Sequence, residues 1–334
     1  MSASAAVQDT AERLINAAQF AEARERLRDA VLHTPLVRFT PVTEAMAYLK
    51  PESLQPIGSF KLRGAYNAVA SLTGDQRRRG VITYSSGNHG QGVAYAARAF
   101  GISAVIVMPA NAPTIKRQAI TALGAQIVDV GPASSERRAR AEALAAEHGY
   151  TIIPPYDDPA IIAGQGTCGL EILADCPEVD LVLAPVGGGG LLSGVAAAIR
   201  QQRPACHIVG VEPELAGDAA ASLREGRIIQ YTPEQTTRTI ADGLRTQSVG
   251  DLNFAHIRRY VERIVTVTEQ EIEEAMRRIA FDARLIAEPS GAVATAALLF
   301  HGDELPPHRT AVPIISGGNA EPEMLLRILG AHTN

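Results

Sequence analysis

From residue 81 onward, short apolar runs rich in β-branched residues alternate with helical patterns of ten or more residues, the signature of a parallel sheet covered by helices. Residues 81–84, 104–108, 126–130 and 150–153 read as strands, and residues 90–100, 114–123 and 135–147 as the helices between them. The third helix stops at His148-Gly149, a usual C-terminal signal. Pro154-Pro155-Tyr156-Asp157-Asp158-Pro159 continues neither pattern and marks a crossing between domains. A second series follows: helix 159–174, strand 181–185, helix 191–202, strand 208–211, helices 269–282 and 290–300, and strand 311–315. The expected fold is α/β, with two open, mainly parallel-sheet domains: a small one over residues 70–154 and a larger one over residues 1–69 and 155–334. The chain carries no repeat of 20–50 residues, low-complexity tract or heptad pattern.

Composition narrows the class. A chain of 334 residues can bury two cores. The net charge of -5, with Lys and Arg dispersed, argues against a nucleic-acid partner, and Arg77-Arg78-Arg79 at a helix end reads as a solvated terminus. The N-terminus lacks a cationic start with an apolar core, and no run approaches the roughly 18 apolar residues of a membrane span, so a cytoplasmic protein is expected. Cys168, Cys176 and Cys206 are odd in number without C-x-x-C spacing, as buried free thiols would be.

Ligands in open α/β sheets sit at the carboxyl ends of strands, where Tyr84-Ser85-Ser86, Pro185-Val186-Gly187 and Ile315-Ser316-Gly317 all fall. A lone lysine is normally a surface charge, but Lys61 stands between Phe60 and Leu62 and is bracketed by Gly58 and Gly64. Withdrawn from water, such a lysine becomes a usable nucleophile and base. Gly187, Gly188, Gly189 and Gly190 follow an apolar run and open a helix, so their backbone N–H groups form an anion cradle rather than a linker. With Ser85-Ser86-Gly87-Asn88-His89-Gly90, these parts can hold a phosphorylated aldehyde, pyridoxal phosphate. A rival reading is a nicotinamide-dependent oxidoreductase: Gly188-x-Gly190-x-x-Ser193 misses the dinucleotide fingerprint at its third glycine, and Glu212 closes the next strand. That reading leaves Lys61 without work. His89 follows a strand end and is expected to make a structural hydrogen bond. Glu212 and Asp218 suit either a hard divalent cation or capping of the next helix.

Together these residues resemble the serine/threonine dehydratase and serine racemase family of fold-type II pyridoxal-phosphate enzymes. The likeness runs from His33-Thr34-Pro35-Leu36 to Ser316-Gly317-Gly318-Asn319 and includes Ala163-Gly164-Gln165-Gly166-Thr167 and Glu288-Pro289-Ser290-Gly291. It implies a cofactor in the cleft between the two domains, bound covalently by Lys61. Phe60 and Gly243 would flank its ring, Asn88 would bond its 3-hydroxyl, Gly187 to Gly190 would hold its phosphate and Ser316 would face its ring nitrogen. Ser85, Ser86, Asn88 and His89 would meet the substrate carboxylate.

The implied reaction is conversion of L-threonine or L-serine to 2-oxobutanoate or pyruvate and ammonia, with 3-hydroxyaspartate as another substrate. Ser86 would be the second proton carrier that keeps serine racemisation open. Glu212 and Asp218, with the Ala216 carbonyl, match the family's Mg²⁺ or Ca²⁺ site, while Tyr156 replaces the asparagine of mammalian racemases. A homodimer or higher homo-oligomer is implied, and no regulatory domain is expected after the last strand.

Overall fold

The computed structural model describes residues 14–40, 45–85, 87–112, 114–131 and 134–330. Their ten strands are β1 (Val37–Phe39), β2 (Met46–Pro51), β3 (Val81–Tyr84), β4 (Ala104–Pro109), β5 (Gln126–Val130), β6 (Thr151–Ile152), β7 (Leu181–Pro185), β8 (His207–Pro213), β9 (Arg263–Val267) and β10 (Thr310–Ile315). They form a six-stranded sheet, ordered β1-β2-β10-β7-β8-β9, and a four-stranded sheet, ordered β5-β4-β3-β6. β1 runs antiparallel to β2, and the other ladders are parallel. The α/β expectation is borne out, and β1, β2 and β9 add three strands that the hydrophobic pattern did not announce.

Both faces of the larger sheet are covered, which explains its continuous apolar strands. Leu181 and Leu183 of β7 pack with Val209, Val211 and the helices Glu269–Ala283 and Pro289–Phe300. Val182 and Ala184 point the other way, into a cluster with Val195, Ile199 and Ile257. In the smaller sheet, Val81, Ile106 and Met108 pack with the helices Lys61–Ala70 and Asn88–Phe100. Ile82, Val105 and Val107 face Ala141 and Leu144 of the helix Ser134–His148. Cys168, Cys176 and Cys206 are buried and unpaired, as their spacing predicts. Among the described residues, no helix is long and apolar enough to cross a membrane.

Candidate active site

Lys61 begins the helix Lys61–Ala70, and the backbone leading into it is fastened to the end of β10. Ser59 bridges to Gly317, and the Phe60 N–H donates to the Ser316 carbonyl at 3.0 Å. The helix then crosses Pro159–Asp175 where both carry glycine. A Cβ on Gly64 would lie 2.5 Å from Gln165 Nε2, and one on Gly164 would lie 2.6 Å from the Arg63 carbonyl oxygen. Side chains there would force the helices apart, so these glycines serve packing.

The opposite side of the Lys61 helix is held by charge. Arg63 is fully buried and donates to Glu52 from Nε at 2.7 Å and Nη2 at 2.8 Å, to Glu171 from both Nη atoms at 2.7 Å, and to Thr167 at 3.1 Å. Lys50, also buried, donates to Glu171 and to the Thr34 carbonyl, both at 2.6 Å. Burial alone would raise the Glu52 carboxyl, but the charge and hydrogen bonds of Arg63, with Lys50 nearby, hold it below the usual carboxylate range. Neighbours on opposite sides therefore fix where Lys61 emerges.

The Lys61 amine donates to the Pro155 carbonyl at 2.8 Å and lies 5.2 Å from the centre of the Phe60 ring. Burial lowers its pKa to about 8. Pro155 belongs to the segment between the two sheets, and the next two residues reach the glycine loop and its support. The Tyr156 ring covers Gly188, and Asp157 accepts the N–H groups of Asp251, Leu252 and Asn253 at 3.0–3.2 Å.

The glycine loop admits no side chain at its two central positions. A Cβ on Gly188 would come within 2.2 Å of the Tyr156 ring, and Gly189 has φ +96° with its Cβ position 2.9 Å from Asn253 Cβ. Asn253 Nδ2 and the Gly250 N–H hold the Gly188 carbonyl from behind, at 2.9 and 3.1 Å. The helix Gly190–Gln202 starts directly from this loop without a side-chain cap, so the N–H groups of its first turn are left for an anion.

At the end of β3, Ser85 Oγ accepts the Gly87 N–H at 3.1 Å. His89 is buried, and its Nε2 must donate to the Ile153 carbonyl at 3.1 Å because a carbonyl only accepts. That fixes the neutral tautomer, and burial, with the Lys61 charge nearby, pushes its pKa down to about 3. The structural role expected of His89 is thus the one its geometry supports. The Gly243 N–H donates to Ser290 Oγ at 2.9 Å, and Ser316 Oγ donates to the Ser290 carbonyl at 3.3 Å.

One cavity of about 360 Å³ is lined by Phe60 and Lys61, by Ser85, Asn88 and His89, by all four loop glycines, and by Gly243 and Ser316. The segments singled out in sequence do converge, and all three strand ends meet there. Ser86 lies outside the described residues.

Glu212, Ala216 and Asp218 are buried but do not line this cavity. Glu212 accepts the N–H groups of Ala219 and Ala220 at 3.2 and 2.8 Å, so it does cap the following helix. Neither oxygen of Asp218 has a hydrogen-bond partner of normal geometry among the described residues. Burial raises both carboxyls, with Asp218 adding to the shift at Glu212 and itself reaching about 8.

Sequence reasoning missed a charged group in the cavity wall. Lys116 Nζ lies 2.6 Å from Asp242 and 3.6 Å from Glu288, and Glu288 accepts from Asn88 Nδ2 at 2.5 Å. Asn319 Nδ2 donates to Asn88 Oδ1 at 2.9 Å, which fixes the orientation of the Asn88 amide. Glu288 stood in a recognised motif, but nothing in the pattern paired it with Lys116. Arg137 and Arg138 also line the cavity.

Relatives at substantial identity cover nearly the whole chain. L-threonine ammonia-lyase of Thermotoga maritima is 42% identical over 92% of this chain and 76% of its own length. L-threo-3-hydroxyaspartate ammonia-lyase of Saccharomyces cerevisiae is 41% identical over 90% of this chain and 92% of its own. The structure of maize serine racemase superposes with a TM-score of 0.87 at 34% identity, over 94% of this chain and 96% of that one. The span from residue 27 to residue 317, which contains both sheets and the whole cavity lining, matches the family described as pyridoxal-phosphate dependent enzyme, and the chain belongs to that family.

Proposed function

We propose that the cleft holds pyridoxal phosphate on Lys61 and eliminates the β-hydroxyl of L-threonine or L-serine, giving 2-oxobutanoate or pyruvate and ammonia. The observation that carries this reading is the convergence of a desolvated amine, a helix N-terminus stripped of side chains and a polar turn on one cavity. The residues fit the cofactor, because the glycine loop offers N–H groups at close approach and leaves no room for a Cβ at Gly188 and Gly189. In this reading Gly187, Gly188, Gly189 and Gly190 hold the phosphate. Phe60 and Gly243 flank the ring, Asn88 bonds the 3-hydroxyl and Ser316 faces the ring nitrogen.

Bound there, pyridoxal phosphate supplies the electron sink that makes an amino-acid α-proton removable. Lys61 supplies the base, since desolvation leaves a useful share of its amine neutral and the Pro155 carbonyl orients it. Ser85, Asn88 and the backbone N–H of His89 seat the substrate carboxylate, since the neutral His89 ring spends its one N–H on Ile153 and has no donor left. The neutral hydroxyl of Ser316, in place of a carboxylate, favours loss of a β-substituent over transamination. Purified holoenzyme given L-threonine or L-serine is expected to form 2-oxobutanoate or pyruvate, followed by reduction with lactate dehydrogenase. A fully loaded enzyme that yields neither product overturns this reading.

A second reading is supported by Arg137 and Arg138 in the cavity wall. A guanidinium group is of the type that binds a carboxylate by two parallel hydrogen bonds. L-threo-3-hydroxyaspartate carries such a second carboxylate, and its elimination product, oxaloacetate, is read with malate dehydrogenase. A higher kcat/KM for this substrate than for L-threonine selects the second reading.

Glu212, Asp218 and the Ala216 carbonyl fit a hard divalent cation, Mg²⁺ or Ca²⁺, because both oxygens of the buried Asp218 carboxylate lack a hydrogen-bond partner of normal geometry among the described residues. The ion would neutralise a costly buried acidic pair. EDTA is expected to lower the melting temperature, magnesium to restore it, and Asp218→Asn to remove the response. A melting temperature unmoved by EDTA in the parent protein contradicts a bound cation.

A further inference from the structure

We propose that Lys116 is a positioning residue that closes the cleft over the substrate, by an ion bridge from the small-sheet wall to Asp242 and Glu288 on the large-sheet wall. The proposal rests on the amino-acid reading above. Lys116 lies on the helix Thr114–Ala122, which packs on β5 and on the helix Asn88–Phe100. Asp242 opens a short 3₁₀ turn against the helix Pro289–Phe300, and Glu288 caps that same helix. The lysine is 3% exposed although it reaches across a cleft, and its ammonium spans the two walls at 2.6 Å from Asp242 and 3.6 Å from Glu288.

Its stem lies directly on the turn expected to seat the substrate carboxylate. A Cβ on Gly87 would be 2.5 Å from Lys116 Cδ and 3.2 Å from Cε, so only glycine lets the stem pass so close. Glu288 is shared beneath it: Oε1 accepts from Asn88, and Oε2 faces the ammonium with no hydrogen bond among the described residues. Separation of the walls breaks the contact with Asp242. Its return requires Gly87 and Asn88 to be seated under the lysine stem. The bridge therefore favours the arrangement in which the substrate-binding turn faces Lys61, and the apparent affinity for substrate falls in proportion as that arrangement is depopulated.

In the holoenzyme, Lys116→Met is expected to raise KM for L-threonine roughly tenfold. Its kcat should change less, with the cofactor absorbance close to the parent. Asp242→Asn should behave alike, the double variant should be no worse than either single one, and Lys116→Arg should recover most of the affinity. Independently of turnover, amides of residues 114–122 should exchange hydrogen faster in Asp242→Asn than in the parent. An unchanged KM overturns the proposal, as does a joint fall of kcat, cofactor retention and melting temperature, which would mark a structural ion pair. A parent protein without a cofactor band would instead sink the reading of the site, and the exchange comparison would still decide the bridge.

Discussion

Lys61→Ala is expected to lower ammonia release from L-threonine by at least about a thousandfold, because in the proposed reading it removes both the cofactor's attachment and the base that takes the α-proton. The fold should survive, since the fastening of the Lys61 helix runs through the backbone of Ser59 and Phe60 and through Arg63 rather than through the amine. The depressed pKa gives a second, independent readout. With a pKa of about 8, roughly one Lys61 amine in ten is neutral at pH 7, against about three in ten thousand for an ordinary lysine. Capture of pyridoxal phosphate by cofactor-free protein should accelerate as pH rises toward 8 and level off above it, measured by stopped-flow absorbance. A rate that keeps climbing to pH 10 would place the lysine in water.

Arg63→Met is expected to cost about 3–5 kcal/mol of unfolding free energy, because it leaves the buried Glu52 and the partly buried Glu171 against the single charge of Lys50. Denaturant titration measures this directly. The exposed pair Arg28–Glu25 is the control, where removing Glu25 should change nothing measurable. The sign of the pH effect also follows. Glu52 is held below its usual carboxylate value, so its contribution is complete above about pH 4.5 and is lost as pH falls through the lowered folded-state pKa. The Arg63→Met variant should lack that part of the acid transition. If Arg63→Met is as stable as the parent, the charged cluster does not fasten the Lys61 helix.

What could be read from the chain was the chemistry that demands a residue type locally. Gly188 and Gly189 announce themselves because no other residue fits under Tyr156 or adopts φ +96°. β3, β4, β7 and β10 are legible because strands buried on both faces are nearly continuous apolar runs. β2 was not, since it carries Lys50, whose charge makes sense only beside Glu171. β1 has three residues, too few for a pattern, and β9 lies at the sheet edge with Arg263 exposed. The same limit hid Lys116. An ion pair between Lys116 and Asp242 leaves no periodicity, and only the meeting of the two sheets creates it.

The central claim is that this cleft uses Lys61 to hold pyridoxal phosphate, and borohydride reduction of the holoenzyme followed by peptide mass mapping tests it most directly. The account predicts loss of the imine absorbance and a reduced cofactor adduct on the peptide containing Lys61. An adduct on Lys50 or Lys116 with Lys61 unmodified, or no adduct on any lysine of a yellow, active protein, would contradict it.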